Sequence, residues 1–513
     1  MSVSGTALAA PFQCMDLLRV SLDANADDIA LVSSSRYWTW RELDDASSRL
    51  AANLLHFGLR IGDRVASLMP NRDELLVLYL ACMKAGFIAT PLNYRYQAPE
   101  IDHALEVSGA RLLIAHAERD ADLLGCRMVE RLQLGVIQFQ AAETSGPTLE
   151  DLIQRESAVI AIQRPEPNDP AIIFFTSGST GRPKGVTHSF ASVGWMLASA
   201  AAAFEMSAAD VVLPGSSVSH LGSFLWTLAG FGVGAKIVLA HSFVGDEILP
   251  LLREHRPTIL CMLPAALLCL VREHGATHED FRSLRVCRSG GDKVPAELER
   301  EFTKLVGSPV DEGYGCTEVG LATLSPPSGT IKMGSVGRPV PGFELSVRRT
   351  DGSEAGQGEE GGLWIKSQST MVGYWDNDEA TRKIIIDGWL DSGDIMRYDA
   401  DGYFWFCGRS KQIIVHDGSN ICPQEVEESL LDHPAVAAAG VVGLHDIMHG
   451  ENVRAYVTLQ PDIERPRTQD LIRFSQARVG YKAPEDIVVL DEMPLNATGK
   501  IDRVKLKEMA RSA

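Results

Sequence analysis

The chain has 513 residues, 45% of them hydrophobic and 22% charged, which predicts ordinary globular protein too long for one compact core, and therefore two or more domains. Its 48 basic against 67 acidic side chains give a formal charge of −19, which disfavours nucleic acid or an anionic membrane as a main partner. Nine cysteines without a C-x-x-C pair argue against a disulfide framework or a zinc site and fit a reducing, cytoplasmic setting.

The N-terminal stretch has no basic residue before Arg19, so no signal peptide is predicted. Residues 41 to 115 then alternate two patterns. RELDDASSRLAANLLHFG reads as an amphipathic helix with a glycine stop, DRVASLMP as a strand, DELLVLYLACMKAG as a second helix and FIATPLN as a second strand. That rhythm predicts a parallel α/β sheet. PAIIFF is another buried strand, and FLWTLAGFGVGA from Phe224 is an apolar run too short to span a bilayer, read as a buried helix turning into a core strand. KIVLA, PTILCML and LRVCRSGG each run from an apolar strand into a polar or glycine-rich end, where ligands of such sheets collect. From about Gly334 the chain is glycine-rich with short strands, which predicts a small β subdomain. Beyond FWFCGRSK come a strand, a helix (PQEVEESLLDH), two strands (AVAAAGVVGL, VRAYVTLQ) and a helix (TQDLIRFSQARVG), a block of domain size.

Between PAIIFF and the next strand lies TSGSTGRPKG. Thr176, Ser177, Ser179 and Thr180 alternate with Gly178 and Gly181, and Lys184 follows Pro183. Backbone N–H groups without intervening side chains can wrap polyphosphate oxygens, and the hydroxyls and the lysine add donors. A P-loop needs its lysine directly after a glycine and a helix opening there. Here Gly185-Val186-Thr187 resumes an extended pattern, so the expectation is a hairpin, for which a solvated turn is the plainer alternative.

Other stretches carry matching chemistry. YGCTE (Tyr314 to Glu318) joins an aromatic face, a bare backbone, a hydroxyl and a carboxylate, a set able to stack a base, touch a phosphate and hold Mg²⁺ at Glu318. DGWLDSGDI sets Asp394 after a Ser-Gly turn, where a carboxylate can take two ribose hydroxyls, and Arg409 in CGRSK can join it. PLNATGKIDR puts Lys500 in a glycine-containing loop. Each has a plain structural alternative: Asp394 an N-cap, Arg409 a surface ion pair, Lys500 a solvated tail lysine. As an ordered set over nearly the whole chain, FTSGSTGRPKG, YGCTE, GWLDSGD, GRSK and NATGK resemble the adenylate-forming superfamily of acyl-CoA synthetases, peptide-synthetase adenylation domains and firefly luciferase.

The resemblance implies an α/β fold with a large N-terminal domain (1–408) of α/β sheets plus a β subdomain, a hinge (409–411) and a small mobile α+β domain (412–513). It implies an ATP-dependent carboxylate–CoA ligase working through acyl-AMP, with ATP, Mg²⁺ and coenzyme A as its cofactors. Thr176 to Gly181 and Lys184 would hold the β- and γ-phosphates. Gly290, Gly291, Gly313, Tyr314 and Gly315 would line the nucleotide, with Asp394 and Arg409 at the ribose. Thr317, Glu318 and Lys500 would serve the first half-reaction, and Lys411 would be the pivot to the second. Gly418 and Asn420 match positions near the thiol channel, and His220 the position that gates carboxylate and thiol access, although a core histidine is its bland reading.

Departures stand at Gln412, where relatives are usually acidic, at Val415, where many have lysine, and at Asp417, where many have glycine; they leave the acceptor thiol open. The acyl pocket implied by resemblance includes Val218, His220, Leu221, Arg288, Gly313, Gly320 and Val340, and RSGGDKVP replaces the commoner SGGAP. Arg288 and Lys293 can meet a second polar group of the substrate, or simply face solvent or Asp292. The partners expected are a small carboxylic acid and CoA or an acyl carrier protein, with a homo-oligomer possible. A luciferase-like oxygenase and a nucleotide-binding regulator without turnover are the weaker alternatives.

Overall fold

The computed structural model describes residues 2–142, 146–157, 163–176, 183–243, 245–290, 294, 296–410, 412–416, 419–446, 450–461, 463, 465–496 and 499–512. The chain divides into two compact units, one of Val3–Leu345 with Ile365–Leu390 and a smaller one of Met1–Ser2, Ser346–Trp364 and Asp391–Ala513.

The larger unit holds two seven-stranded sheets. In one, Asp311–Glu312, Val286–Ser289, Ile259–Met262, Val211–Gly215, Lys236–Leu239 and Ile29–Ser33 run parallel in that spatial order, with Tyr37–Thr39 antiparallel at the edge. In the other, Pro170–Phe175, Ile88–Pro91, Arg64–Leu68, Leu112–His116 and Val136–Phe139 are parallel, and Gly185–Ser189 and Gly373–Tyr374 extend it with antiparallel pairings. The parallel strands are apolar along their length because helices cover such sheets. The alternation expected over residues 41 to 115 is what forms. Helix Trp40–His56 starts at a reciprocal cap, in which Thr39 Oγ1 accepts from Glu42 N (3.1 Å) and Glu42 Oε2 accepts from Thr39 N (2.8 Å). Helix Asp73–Ala85 stops at Gly86, whose φ of 69° costs glycine nothing. The apolar run from Phe224 lies within the buried helix Leu221–Val233, and the strand Lys236–Leu239 follows directly, as the sequence suggests. Among the described residues no helix is long and apolar enough to cross a membrane.

In the smaller unit, the segment from Asp391 to Tyr398 pairs antiparallel with Phe404–Arg409. Beyond it a five-stranded sheet runs Ser419–Ile421, Ile414–His416, Gly450–Leu459, Val436–Asp446, with Asp486–Val489 parallel to Gly450–Leu459. Successive residues of Val436–Asp446 face opposite sides: Val441 packs with Val426, Leu430 and Leu471 of two helices, Val442 with Met493 and Leu506. A sheet covered on both faces explains why AVAAAGVVGL is continuously apolar. The strand Asp486–Val489 and the helix Arg503–Ser512, whose Val442–Leu506 contact covers the second face, go beyond the elements read from the sequence. All nine cysteines are free.

Candidate active site

The glycine-rich loop is carried by a hairpin. Phe175 pairs with Gly185, and Thr176 N donates to the Lys184 carbonyl at 3.2 Å, so the ladder runs up to the loop itself. Ser177, Gly178, Ser179, Thr180 and Gly181 lie outside the described residues. Tyr374, paired to Val186 across the sheet edge, sits beside the hairpin base. Lys184 Nζ lies 4.8 Å over its ring, and its hydroxyl donates to Glu318 Oε1 at 2.9 Å. Burial, with the Glu318 carboxylate beside it, pushes the Tyr374 phenol far above its ordinary range, so it stays a protonated donor. A cation, a phenol and a carboxylate thus form one chain.

Glu318 belongs to a tight turn between the antiparallel strands Tyr314–Cys316 and Gly320–Leu324. A Cβ on Gly315 would stand 2.2 Å from the Gly320 carbonyl oxygen, so no side chain is tolerated there. The turn is pinned from two sides. Met371 N donates to the Glu318 carbonyl at 2.7 Å, and His188 Nε2 lies 2.8 Å from the Thr317 carbonyl. His188 is fully buried, which lowers its pKa to about 4, so the imidazole is neutral and its Nε2 carries the hydrogen that the carbonyl accepts. The Thr317 and Glu318 side chains are left half-buried on an immobilised backbone. Tyr314 N donates to Thr323 Oγ1 at 3.3 Å, fixing the start of the same turn. Among the described residues no group of three or more His, Cys, Asp or Glu is arranged to hold a metal ion.

His220 caps the helix Leu221–Val233 and is half-buried. The loop before it is held by Asn71, whose Nδ2 donates to the Ser216 and Ala240 carbonyls (3.2 and 3.0 Å) and whose Oδ1 accepts from Val218 N (2.9 Å). Val218, Leu221 and Val340 are buried, and Gly320 has a φ of 85° with a Met196 side chain where a Cβ would go. Arg288 ends up inside the protein, stacked on Trp226, so the solvent-facing alternative for it does not hold. Gly290 is buried against the Gly313 carbonyl; Gly291, Asp292 and Lys293 lie outside the described residues.

In the smaller unit Asp394 is buried inside a strand rather than capping a helix, and Arg409 Nε stands 3.1 Å from its Oδ1. The preceding turn is built by Gly393 at φ 70°, by Asp394 N donating to Ser392 Oγ (3.1 Å), and by Ser410 donating to the Gly393 carbonyl through N (2.9 Å) and Oγ (2.8 Å). Two separated motifs, GWLDSGD and GRSK, are thereby one ion-paired ladder rung. Lys500 closes a turn in which its N donates to Asn496 Oδ1 (3.1 Å) and Asn496 N to its carbonyl (2.8 Å), with Gly499 at φ 80°. Asn420 sits in the strand Ser419–Ile421 opposite Val415; Lys411 and Gly418 lie outside the described residues.

Sequence reasoning does not single out Asn71, His188 or Tyr374. His188 carries a signal of a kind, a histidine in an otherwise buried strand; for Asn71 and Tyr374 the partners are 147 and 56 residues away and no local pattern announces them.

Residues 18–375 match the family described as AMP-binding enzyme, and residues 425–500 the AMP-binding enzyme C-terminal domain. A feruloyl-CoA synthase from Amycolatopsis sp. is 33% identical over 90% of this chain and 92% of its own. The fatty acid–[acyl-carrier-protein] ligase ScoC of Streptomyces coeruleorubidus is 31% identical over 93% of each. The crystal structure of the anthranilate CoA ligase AuaEII in complex with anthranoyl-AMP superposes with a TM-score of 0.89 at 26% identity, over 98% of both chains. On these matches the chain belongs to the AMP-binding, adenylate-forming enzyme family.

Proposed function

We propose that this enzyme is an AMP-forming carboxylate–CoA ligase: acid and ATP give acyl-AMP and pyrophosphate, and the acyl group then passes to the thiol of CoA with release of AMP. The observation that carries this reading is the Lys184–Tyr374–Glu318 chain at the foot of the glycine-rich hairpin, a cation for phosphate oxygens joined to a half-buried carboxylate.

A carboxylate is a poor acyl donor because oxide would have to leave. Its oxygen therefore attacks the α-phosphorus of ATP, the P–O bond to the bridging oxygen breaks, and pyrophosphate departs. Both reactants are anions, so the site must offset their repulsion and hold them in line. Thr176 to Gly181 and Lys184 hold the β- and γ-phosphates. Thr317 and Lys500 meet the α-phosphate and the carboxylate, Gly290, Gly291, Gly313, Tyr314 and Gly315 line the nucleotide, and the Asp394–Arg409 pair takes the ribose. Glu318, a hard oxygen donor, would hold Mg²⁺, which would supply charge neutralisation when bound. For the second step the domain 412–513 turns about the hinge 409–411 with Lys411 as pivot, withdraws Lys500, and brings Gly418 and Asn420 to the thiol; His220 gates the entry. Family matches at 18–375 and 425–500 leave the hinge segment between them, which supports that division.

The likeness to ScoC favours a second reading, transfer to the phosphopantetheine of a carrier protein. Pyrophosphate release measured over a panel of acids tests the first half-reaction, and thioester formation with CoA against carrier protein separates the acceptors. Acid-dependent release followed by acyl-CoA is the expected result. Failure of every acid to stimulate release from the folded protein removes the ligase reading, and a thioester formed on carrier protein alone transfers it to the second.

A further inference from the structure

Arg288, on the strand Val286–Ser289, is only 8% exposed. Its Nε is buried without a hydrogen-bond partner, and no ion pair compensates its charge among the described residues. What it touches is flat. The guanidinium carbon lies 4.6 Å over the Trp226 ring, about one and a half turns into the helix that His220 opens. Near the same group lie two glycines: a Cβ on Gly313 would come within 2.8 Å of Nε and 3.0 Å of Nη2, and one on Gly290 within 3.2 Å of Nη2. Nε and Nη2 form one edge of the guanidinium fork, and both glycines pack close against it.

The neighbouring carboxylates attract it without pairing with it. Asp311 is its register partner on the adjacent parallel strand, yet it makes no ion pair with Arg288, and burial pushes its carboxyl up to about 7, leaving it about half neutral near physiological pH. Glu312 Oε1 accepts from Val294 N at 3.2 Å. A guanidinium keeps its charge at any working pH, so a buried one without a directly paired carboxylate is costly unless a ligand completes it. A neutral acceptor would fill one N–H. A carboxylate would accept from the charged fork and cancel the charge as well.

We propose that Arg288 is a specificity-determining residue that pairs with a second carboxylate on the acyl substrate, so that the acid this enzyme activates is a dicarboxylic acid, one carboxylate reacting with ATP and the other held by the guanidinium. The inference rests on the ligase reading above for the fate of the first carboxylate, but the pairing itself is an equilibrium property. Calorimetric binding of malonate, succinate, adipate and terephthalate, each against its monomethyl ester, measures it directly. At least one diacid should bind the wild type tenfold or more tighter than its own ester. In Arg288→Met that preference should fall to near unity with the ester's affinity retained. Arg288→Lys, which keeps the charge and loses the fork, should retain part of it and serves as the deciding variant where Arg288→Met does not fold. No preference in the wild type, or one that survives loss of the guanidinium, overturns the proposal. Pyrophosphate release separates the two ideas: a diacid that binds through Arg288 while no acid drives release leaves the site and removes the ligase, whereas monocarboxylic acids that turn over as well as any diacid leave the ligase and remove the site.

Discussion

Tyr374 does its work through a single oxygen. Its hydroxyl holds one oxygen of Glu318, its ring underlies Lys184, and its raised pKa keeps the proton on the phenol, so it orients both charged groups without adding charge of its own. A hydrogen bond to a charged group contributes about 1.5–3 kcal/mol, roughly ten- to a hundredfold in rate if wholly expressed in the transition state. Tyr374→Phe keeps the ring and removes that bond. The adenylation rate should fall about tenfold and the Mg²⁺ concentration for half-maximal activity should rise, with the thermal midpoint little changed. Pyrophosphate release titrated with Mg²⁺ reads both, and an unchanged titration would show that Tyr374 does not position Glu318 for the proposed metal role. This residue was not legible in the sequence because its chemistry depends on a register between Tyr374 and Val186 that only the folded sheet edge supplies. Tyr314, by contrast, announces itself through its neighbours in YGCTE.

The strand Gly185–Ser189 shows what pattern reading captures at the scale of an element and what it leaves out. Strand, loop and strand were readable from PAIIFF, the glycines and the extended pattern after Lys184, and they form the expected antiparallel pair. The strand is buried along its whole length, and this makes His188 a neutral strut for the Thr317 carbonyl. Its pKa of about 4 lies below the ordinary 6.5, so the unfolded chain takes up its proton first as pH falls. The stability that this histidine contributes is therefore complete above pH 6.5 and is lost as pH drops toward 4, by about 2 kcal/mol at pH 5. His188→Asn retains an N–H donor and no longer titrates. Urea denaturation at pH 7.5 and pH 5 should show a smaller difference for the variant than for the wild type by roughly that amount. Equal differences for the two proteins would place the acid sensitivity elsewhere.

For the whole molecule, the α/β architecture and the order of the motifs were open to sequence reading because each motif is short and contiguous. The stacking of Arg288 on Trp226 beside Gly313 was not, since the three come from a strand, a helix and a loop that meet only through the fold. Under the proposed mechanism Lys500 is carried by the domain 412–513, beyond the hinge 409–411. Asn496 accepts from Lys500 N through Oδ1 and donates through its N to the Lys500 carbonyl, and the proposed mechanism has the domain 412–513 carry the lysine to and from the reacting atoms. If that domain alternates, the lysine is needed in the first half-reaction and absent from the second. Lys500→Ala should then lower carboxylate-dependent pyrophosphate release by about a hundred- to a thousandfold, by analogy with the loss of an oxyanion contact, while thioester formation from added acyl-AMP stays within a fewfold of wild type. The bonds between Lys500 and Asn496 run through the Lys500 backbone, which the substitution retains. Rapid-quench measurement of each half-reaction separates the outcomes, and equal loss of both would mean that Lys500 stays at the reacting atoms throughout and that the domain does not withdraw it.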